Sequence, residues 1–187
     1  MKNISLTLVG CLLILASCTT ESGGNLLVRI QRSEELADGL ASLIIHKEPI
    51  VEEPGMRDYI QREIIRAKQQ LAEAHDARRG GMFGFFTPVK SGMGGSVLYK
   101  DGRLMFSTDF YSTPGPDLHL YLTTVVDPRD VAMPDVTAVD LGRLEYPYGA
   151  LTLPVARLDD PERFRTVALW DVKLKLLYGF AQLSKQK

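Results

Sequence analysis

The sequence predicts a mainly β protein, an antiparallel β-sandwich of about seven to eight strands preceded by two amphipathic helices. Three observations predict it. Apolar residues recur every three or four positions over the first part of the chain beyond its leader. From Gly92 onward the pattern changes to short alternating runs. Turn residues then separate those runs at Pro114-Gly115-Pro116, Pro128, Pro134, Pro147 to Gly149 and Asp159-Asp160-Pro161. The 187 residues suit one ordinary domain with additions rather than two full domains. A formal net charge of −1 gives no basic excess to attract nucleic acid.

The chain opens on a short positive start, Met1-Lys2-Asn3, followed by an uncharged apolar run from Ile4 to Ala16. That run is shorter than the roughly 20 residues that span a bilayer, so it reads as the core of a signal peptide over residues 1–17. The leader ends in Leu15-Ala16-Ser17-Cys18. This resembles the lipobox of bacterial lipoproteins, in which small residues fit the peptidase and the Cys thiol receives the lipid and becomes the new N-terminus. An ordinary secretory leader with a chance Cys is the competing reading. A polar tether over residues 18–25, containing Thr19-Thr20-Glu21-Ser22-Gly23-Gly24, follows. Two or more acyl chains hold a protein firmly, so the expected location is the cell envelope, lipid-anchored and facing the periplasm. Thr19 and Thr20 follow Cys18 with no Asp to signal inner-membrane retention, which leans towards the outer membrane where there are two. Cys11 leaves with the leader and Cys18 is lipid-modified, so the mature protein is expected to have neither free thiol nor disulfide.

Residues 26–82 read as a helical region. The first helix is placed from Ser33 to about His46, with Ser33 as N-cap, Glu34 and Glu35 in the first turn, and Leu36, Leu40, Leu43 and Ile44 on one face. Pro49 to Gly55 breaks it. The second runs from Met56 to Arg78 with an apolar stripe of Ile60, Ile64, Ala67, Leu71 and Ala74, and Gly80-Gly81 stops it. Five glycines between residues 80 and 94 suggest a separable boundary at this point.

The strands follow. Gly95 to Tyr99 and Arg103 to Phe106 flank Asp101-Gly102, a dipeptide suited to a tight hairpin. Asp117 to Leu122 alternates with its leucines on one face. Later strands are expected at Val139 to Leu141, Leu151 to Leu153, Thr166 to Trp170 and Val172 to Leu176.

Several pieces of this second region occur in a recurring order: Gly95, Asp101-Gly102, and Phe110 followed by Gly115-Pro116-Asp117-Leu118-His119-Leu120-Tyr121-Leu122. Asp140-Leu141-Gly142-Arg143-Leu144, Leu153-Pro154, Val167-Ala168-Leu169-Trp170 and Gly179-Phe180-Ala181-Gln182-Leu183 come after them. Over residues 85–183 the chain thereby resembles the DM-thirteen domain, an extracytoplasmic β-sandwich module of bacterial envelope and animal cell-surface proteins. The resemblance implies electron transfer, which in that family rests on a Cys directly after the Trp. Trp170 is followed instead by Asp171, which makes this copy either divergent or thiol-independent. A carboxylate neither exchanges electrons nor binds haem iron well.

The candidate positions are Asp117, His119, Trp170 and Asp171. His119 shares a strand face with Asp117 and Tyr121 and could hold haem or a metal, or simply be solvated. Met82, Met93, Met105 and Met133 are candidate thioether ligands or core fillers. Asp171 is either a buried carboxylate of the kind that marks a site or a residue turned outward at the strand end. Asp109, Asp117 and Asp171 could together hold a cation, though their spacing does not require it. His46 and His75 have no ligand-like spacing. No Ser/His/Asp motif or phosphate loop is present. The sequence therefore points to a non-catalytic, cofactor-free binder of an envelope partner or small ligand. The alternative is an electron-transfer module carrying haem or a metal.

Overall fold

The computed structural model describes residues 25–90 and 92–186. The leader, Cys18 and most of the tether lie outside these residues. Two helices lead into a β-rich body, as the patterning predicts.

Helix α1 spans Leu26–Ile45 and so begins well before Ser33. Its N-cap is Asn25, whose Oδ1 accepts from the amides of Leu27 (3.1 Å) and Val28 (3.4 Å). The Nδ2 of the same side chain donates to the carbonyls of Phe106 (2.8 Å) and Leu151 (3.1 Å) in the sheet. Ser33 is buried within the helix. A 3₁₀ turn, Pro49–Glu52, buries Val51 and leads to helix α2, Met56–Arg78, where the sequence places it. Ile60, Ala67 and Ala74 of its stripe are buried. At its C-terminal end the Lys100 ammonium donates to the carbonyls of Ala77 and Arg79, a favourable place for a cation. Among the described residues, no helix is long and apolar enough to cross a membrane.

Among the described residues, eleven strands follow. They are β1 (Met82–Pro88), β2 (Met93–Gly94), β3 (Ser96–Lys100), β4 (Arg103–Phe106), β5 (Tyr111–Ser112), β6 (Leu118–Thr123), β7 (Val139–Arg143), β8 (Thr152–Pro154), β9 (Thr166–Asp171), β10 (Leu176–Gln182) and β11 (Ser184–Lys185). Nine of them form one antiparallel sheet in the order β7-β6-β9-β10-β1-β3-β4-β8, with β11 beside β1. β2 and β5 make a separate ribbon.

The sheet curls because β1 serves both of its halves. Met82 to Phe85 pair with β3, and Phe86 to Pro88 pair with β10. At the changeover the backbones come close: a Cβ on Gly84 would lie 2.2 Å from the carbonyl oxygen of Gln182, so only glycine fits. The halves enclose a common core. Val97, Leu104 and Phe106 face Leu118, Leu120, Leu122, Val167 and Leu169 across it. Phe86, Phe106 and Phe110 add a cluster with ring centroids 4.8 to 5.8 Å apart.

Two expectations change. The glycine-containing stretch of residues 80–94 is not a loose boundary, because β1 runs through it between β10 and β3, and the sheet begins at Met82. Helix α1 also packs on the sheet, with Leu26 and Leu27 against Leu98, Met105 and Phe83. The second change is at Val172 to Leu176, where Val172, Lys173, Leu174 and Lys175 form the turn between β9 and β10. Asp171 Oδ1 accepts the Leu174 amide at 2.8 Å and closes that turn, and Lys175 sits at φ 53°.

Candidate functional site

Antiparallel pairing of β6 with β9 brings the four sequence candidates together. His119 stands opposite Trp170, and Leu118 stands opposite Asp171. Directly opposed residues share a face, so the group divides between the two surfaces of the sheet.

On the outer face, β7 completes the row by placing Arg143 on the other side of His119. His119 is held at both ring nitrogens. Its Nδ1 lies 3.0 Å from Asp140 Oδ2, and its Nε2 lies 3.6 Å from Asp117 Oδ1. Asp117 is also 3.7 Å from Arg143 Nε. Asp140 is fixed in turn by the Gly142 amide at 2.7 Å. Tyr121 stacks on His119 with centroids 6.3 Å apart. Burial raises the Tyr121 hydroxyl above its usual range, and the Asp140 carboxylate raises it further through its charge and a hydrogen bond. Trp170 packs beside Tyr121, Met133, Ala168, Leu177 and Phe180 on this same face.

The inner face carries Asp171, which is fully buried. Besides the Leu174 amide, its carboxylate accepts the Asp117 amide at 3.3 Å. Tyr178 lies nearby, its hydroxyl raised first by burial and then by the Asp171 charge. Gly115 closes over both groups. A Cβ there would come within 2.5 Å of Asp171 Oδ2, 2.7 Å of the Tyr178 hydroxyl and 2.9 Å of Leu118 Cδ2. Asp171 is therefore a structural anchor for the loop before β6 and the turn after β9.

Between these groups and solvent lies an open cleft of about 380 Å³. Pro114, Gly115, Leu118, Leu144 and Pro147 line it, and Arg143 and Glu145 stand at its rim. The loops on either side are fixed to each other, with the Leu144 amide on the Leu118 carbonyl (2.8 Å) and the Ser112 amide on that of Pro147 (2.7 Å). The cleft thus sets the side chains of Leu118 and Leu144 beside the charged groups of Arg143 and Glu145.

The other candidates separate from this site. Met82, Met93, Met105 and Met133 are all buried in core positions. Asp109 lines a groove beside α1 together with Glu34, His75 and Arg78, and does not join Asp117 and Asp171. His75 faces Glu34 at 3.8 Å, and His46 is exposed. Among the described residues, no three His, Cys, Asp or Glu side chains are grouped to hold a metal ion. Cys18 lies outside the described residues. Sequence reasoning missed Asp140 and Tyr178. Both reach the site only through strand pairing, which no local pattern announces.

Comparison with family models, with curated proteins and with solved structures finds no match.

Proposed function

We propose that the chain is a lipid-anchored cell-envelope protein whose β domain, of the DM-thirteen type, binds an envelope partner or small ligand without catalysing a reaction. The observation that carries this reading is the cleft at the start of β6, with its apolar floor of Leu118 and Leu144 and its charged rim of Arg143 and Glu145. Its walls are cross-linked by backbone hydrogen bonds, so a ligand would meet a surface that needs little ordering. The arrangement around His119 favours binding over electron transfer. Its Nδ1 is hydrogen-bonded to Asp140 at 3.0 Å and its Nε2 lies 3.6 Å from Asp117, so a carboxylate stands at the approach to each ring nitrogen. Position 171, where the resemblance calls for a thiol, carries a buried carboxylate engaged by two backbone amides.

A photoreactive amino acid at position 145, on the rim, tests the reading in intact cells, with position 68 on the exposed side of α2 as control. The expected result is an adduct at 145 in several times the yield at 68. Equal yields at both positions, or no adduct at 145, would count against the cleft.

A further inference from the structure

Four tyrosines are exposed: Tyr59, Tyr111, Tyr146 and Tyr148. Tyr111 and Tyr148 meet at one ribbon, and Tyr146 lies two residues before Tyr148. Gly94 of β2 pairs with Tyr111 of β5, and Tyr111 forms a bridge with Tyr148. The Gly149 amide donates to the Phe110 carbonyl at 2.8 Å and the Thr113 amide to that of Gly92 at 2.9 Å. The Tyr111 ring lies against bare backbone, since a Cβ at Gly94 would fall 2.6 Å from its Cε1. Yet the residue is 53 % exposed, so the ring presents its other side to solvent. The three segments that build this surface, residues 92–99, 110–116 and 146–156, contain no Asp, Glu, Lys, Arg or His, in a chain that is 24 % charged.

The start of the described chain meets this same end of the molecule. Asn25 is hydrogen-bonded to the Leu151 carbonyl, three residues beyond Tyr148, and to that of Phe106. Cys18 precedes Asn25 by seven residues, which fully extended reach roughly 25 Å. Tyr59, in contrast, begins α2, at the opposite end of the 20-residue helix α1 and roughly 30 Å from Asn25 along it.

We infer that Tyr111, Tyr146 and Tyr148 form the face by which the domain rests on the bilayer, in the headgroup layer of uncharged or zwitterionic lipid. The inference rests on the proposed lipid attachment at Cys18. Tyrosine suits that layer because its ring is apolar and its hydroxyl remains hydrated. The ribbon's own segments have no lysine or arginine to seek anionic headgroups, and the charges at their ends are of both signs, Asp109, Asp117 and Glu145 beside Lys100, Arg143 and Arg157, so the contact does not depend on anionic lipid. Three aromatic rings hold a free protein weakly. A leash this short raises their effective concentration at the surface to the millimolar range, which makes a weak contact persistent. Pro114 and Pro147 join the ribbon to the cleft, which would open close to the membrane surface.

The test uses the mature chain with ring-fluorinated tyrosines, its Cys18 coupled chemically to a lipid in phosphatidylcholine vesicles that contain a nitroxide-headgroup lipid. Fluorine resonances of Tyr111, Tyr146 and Tyr148 should broaden several-fold more than that of Tyr59, and no more strongly when the vesicles are made anionic. Equal broadening of all four, or none at the three, would overturn the inference. So would broadening that follows protein density rather than nitroxide content, which would indicate contact with a second copy. Chemical coupling bypasses enzymatic acylation, so failure of the lipoprotein reading would appear separately, as absence of fatty-acid label on Cys18.

Discussion

Asp171→Ala and Gly115→Ala should each destabilise the fold, and together they should cost much less than their sum. Asp171 is fully buried and accepts the amides of Leu174 (2.8 Å) and Asp117 (3.3 Å). A hydrogen bond to a charged group contributes about 1.5–3 kcal/mol, and its loss is partly offset by removing a buried carboxylate, so Asp171→Ala should cost about 3 kcal/mol. The partners are neutral amides, so no buried countercharge is stranded by the change. Gly115→Ala drives a methyl group to 2.5 Å from Asp171 Oδ2. Such overpacking costs about 2 kcal/mol. In the double variant the carboxylate is gone and the new methyl enters the vacated space, giving a total of about 3 rather than about 5 kcal/mol. Urea and thermal denaturation of the four proteins measure this cycle, and the single Asp171→Ala change should lower the melting temperature by about 6–12 °C. Additive losses, or an Asp171→Ala variant as stable as the parent, would refute the assignment of Asp171 as a buried anchor under Gly115.

Other predictions follow from the same geometry. Burial pushes the Asp135 carboxyl up, but hydrogen bonds from the Thr123 and Thr137 hydroxyls and the Thr137 amide outweigh it and hold it below its usual range. The stability that this carboxyl contributes is therefore complete above its unfolded pKa of about 3.9 and is lost as pH falls through the lower folded value. Asp135→Asn should cost about 1–3 kcal/mol at neutral pH, and the difference from the parent should vanish in acid denaturation measured below that window. Asn25→Ala removes a cap and two bonds to the sheet, so it should cost about 2 kcal/mol and speed amide exchange at Leu27 and Val28. Limited proteolysis should cut the loop between α1 and α2 and spare residues 82–88, because β1 is interior to the sheet. A stable fragment beginning between Met82 and Gly95 would contradict that placement.

The parts of the fold legible in the sequence were those fixed by local chemistry. The stripe from Ile60 to Ala74 and the stop at Gly80-Gly81 locate α2 correctly. Asp101-Gly102, at φ 50° and 69°, makes the two-residue hairpin that the dipeptide suggests. Errors arose where a distant contact overrides the local signal. Ser33-Glu34-Glu35 has the composition of a helix start, but the sheet fixes Asn25 and starts α1 there. Val172-Lys173-Leu174-Lys175-Leu176 alternates like a strand, yet Asp171 captures the Leu174 amide and turns the chain, leaving Val172 and Leu174 exposed. Asp117 and His119 were singled out by alternation along one run and Trp170 and Asp171 by the resemblance, and it is the pairing of β6 with β9 that brings them together. The partners that give those residues their environment, Asp140 and Tyr178, come from β7 and β10, whose register is set by the whole sheet.

The proposed envelope location and the proposed membrane-resting face both depend on lipid attachment at Cys18. Metabolic labelling with a fatty acid, comparing the parent with Cys18→Ser, tests that tether most directly. The parent should incorporate label and run as the processed form, and Cys18→Ser should remain an unlabelled, uncleaved precursor. Equal label in both proteins, or no label in either, would contradict lipid attachment at this residue.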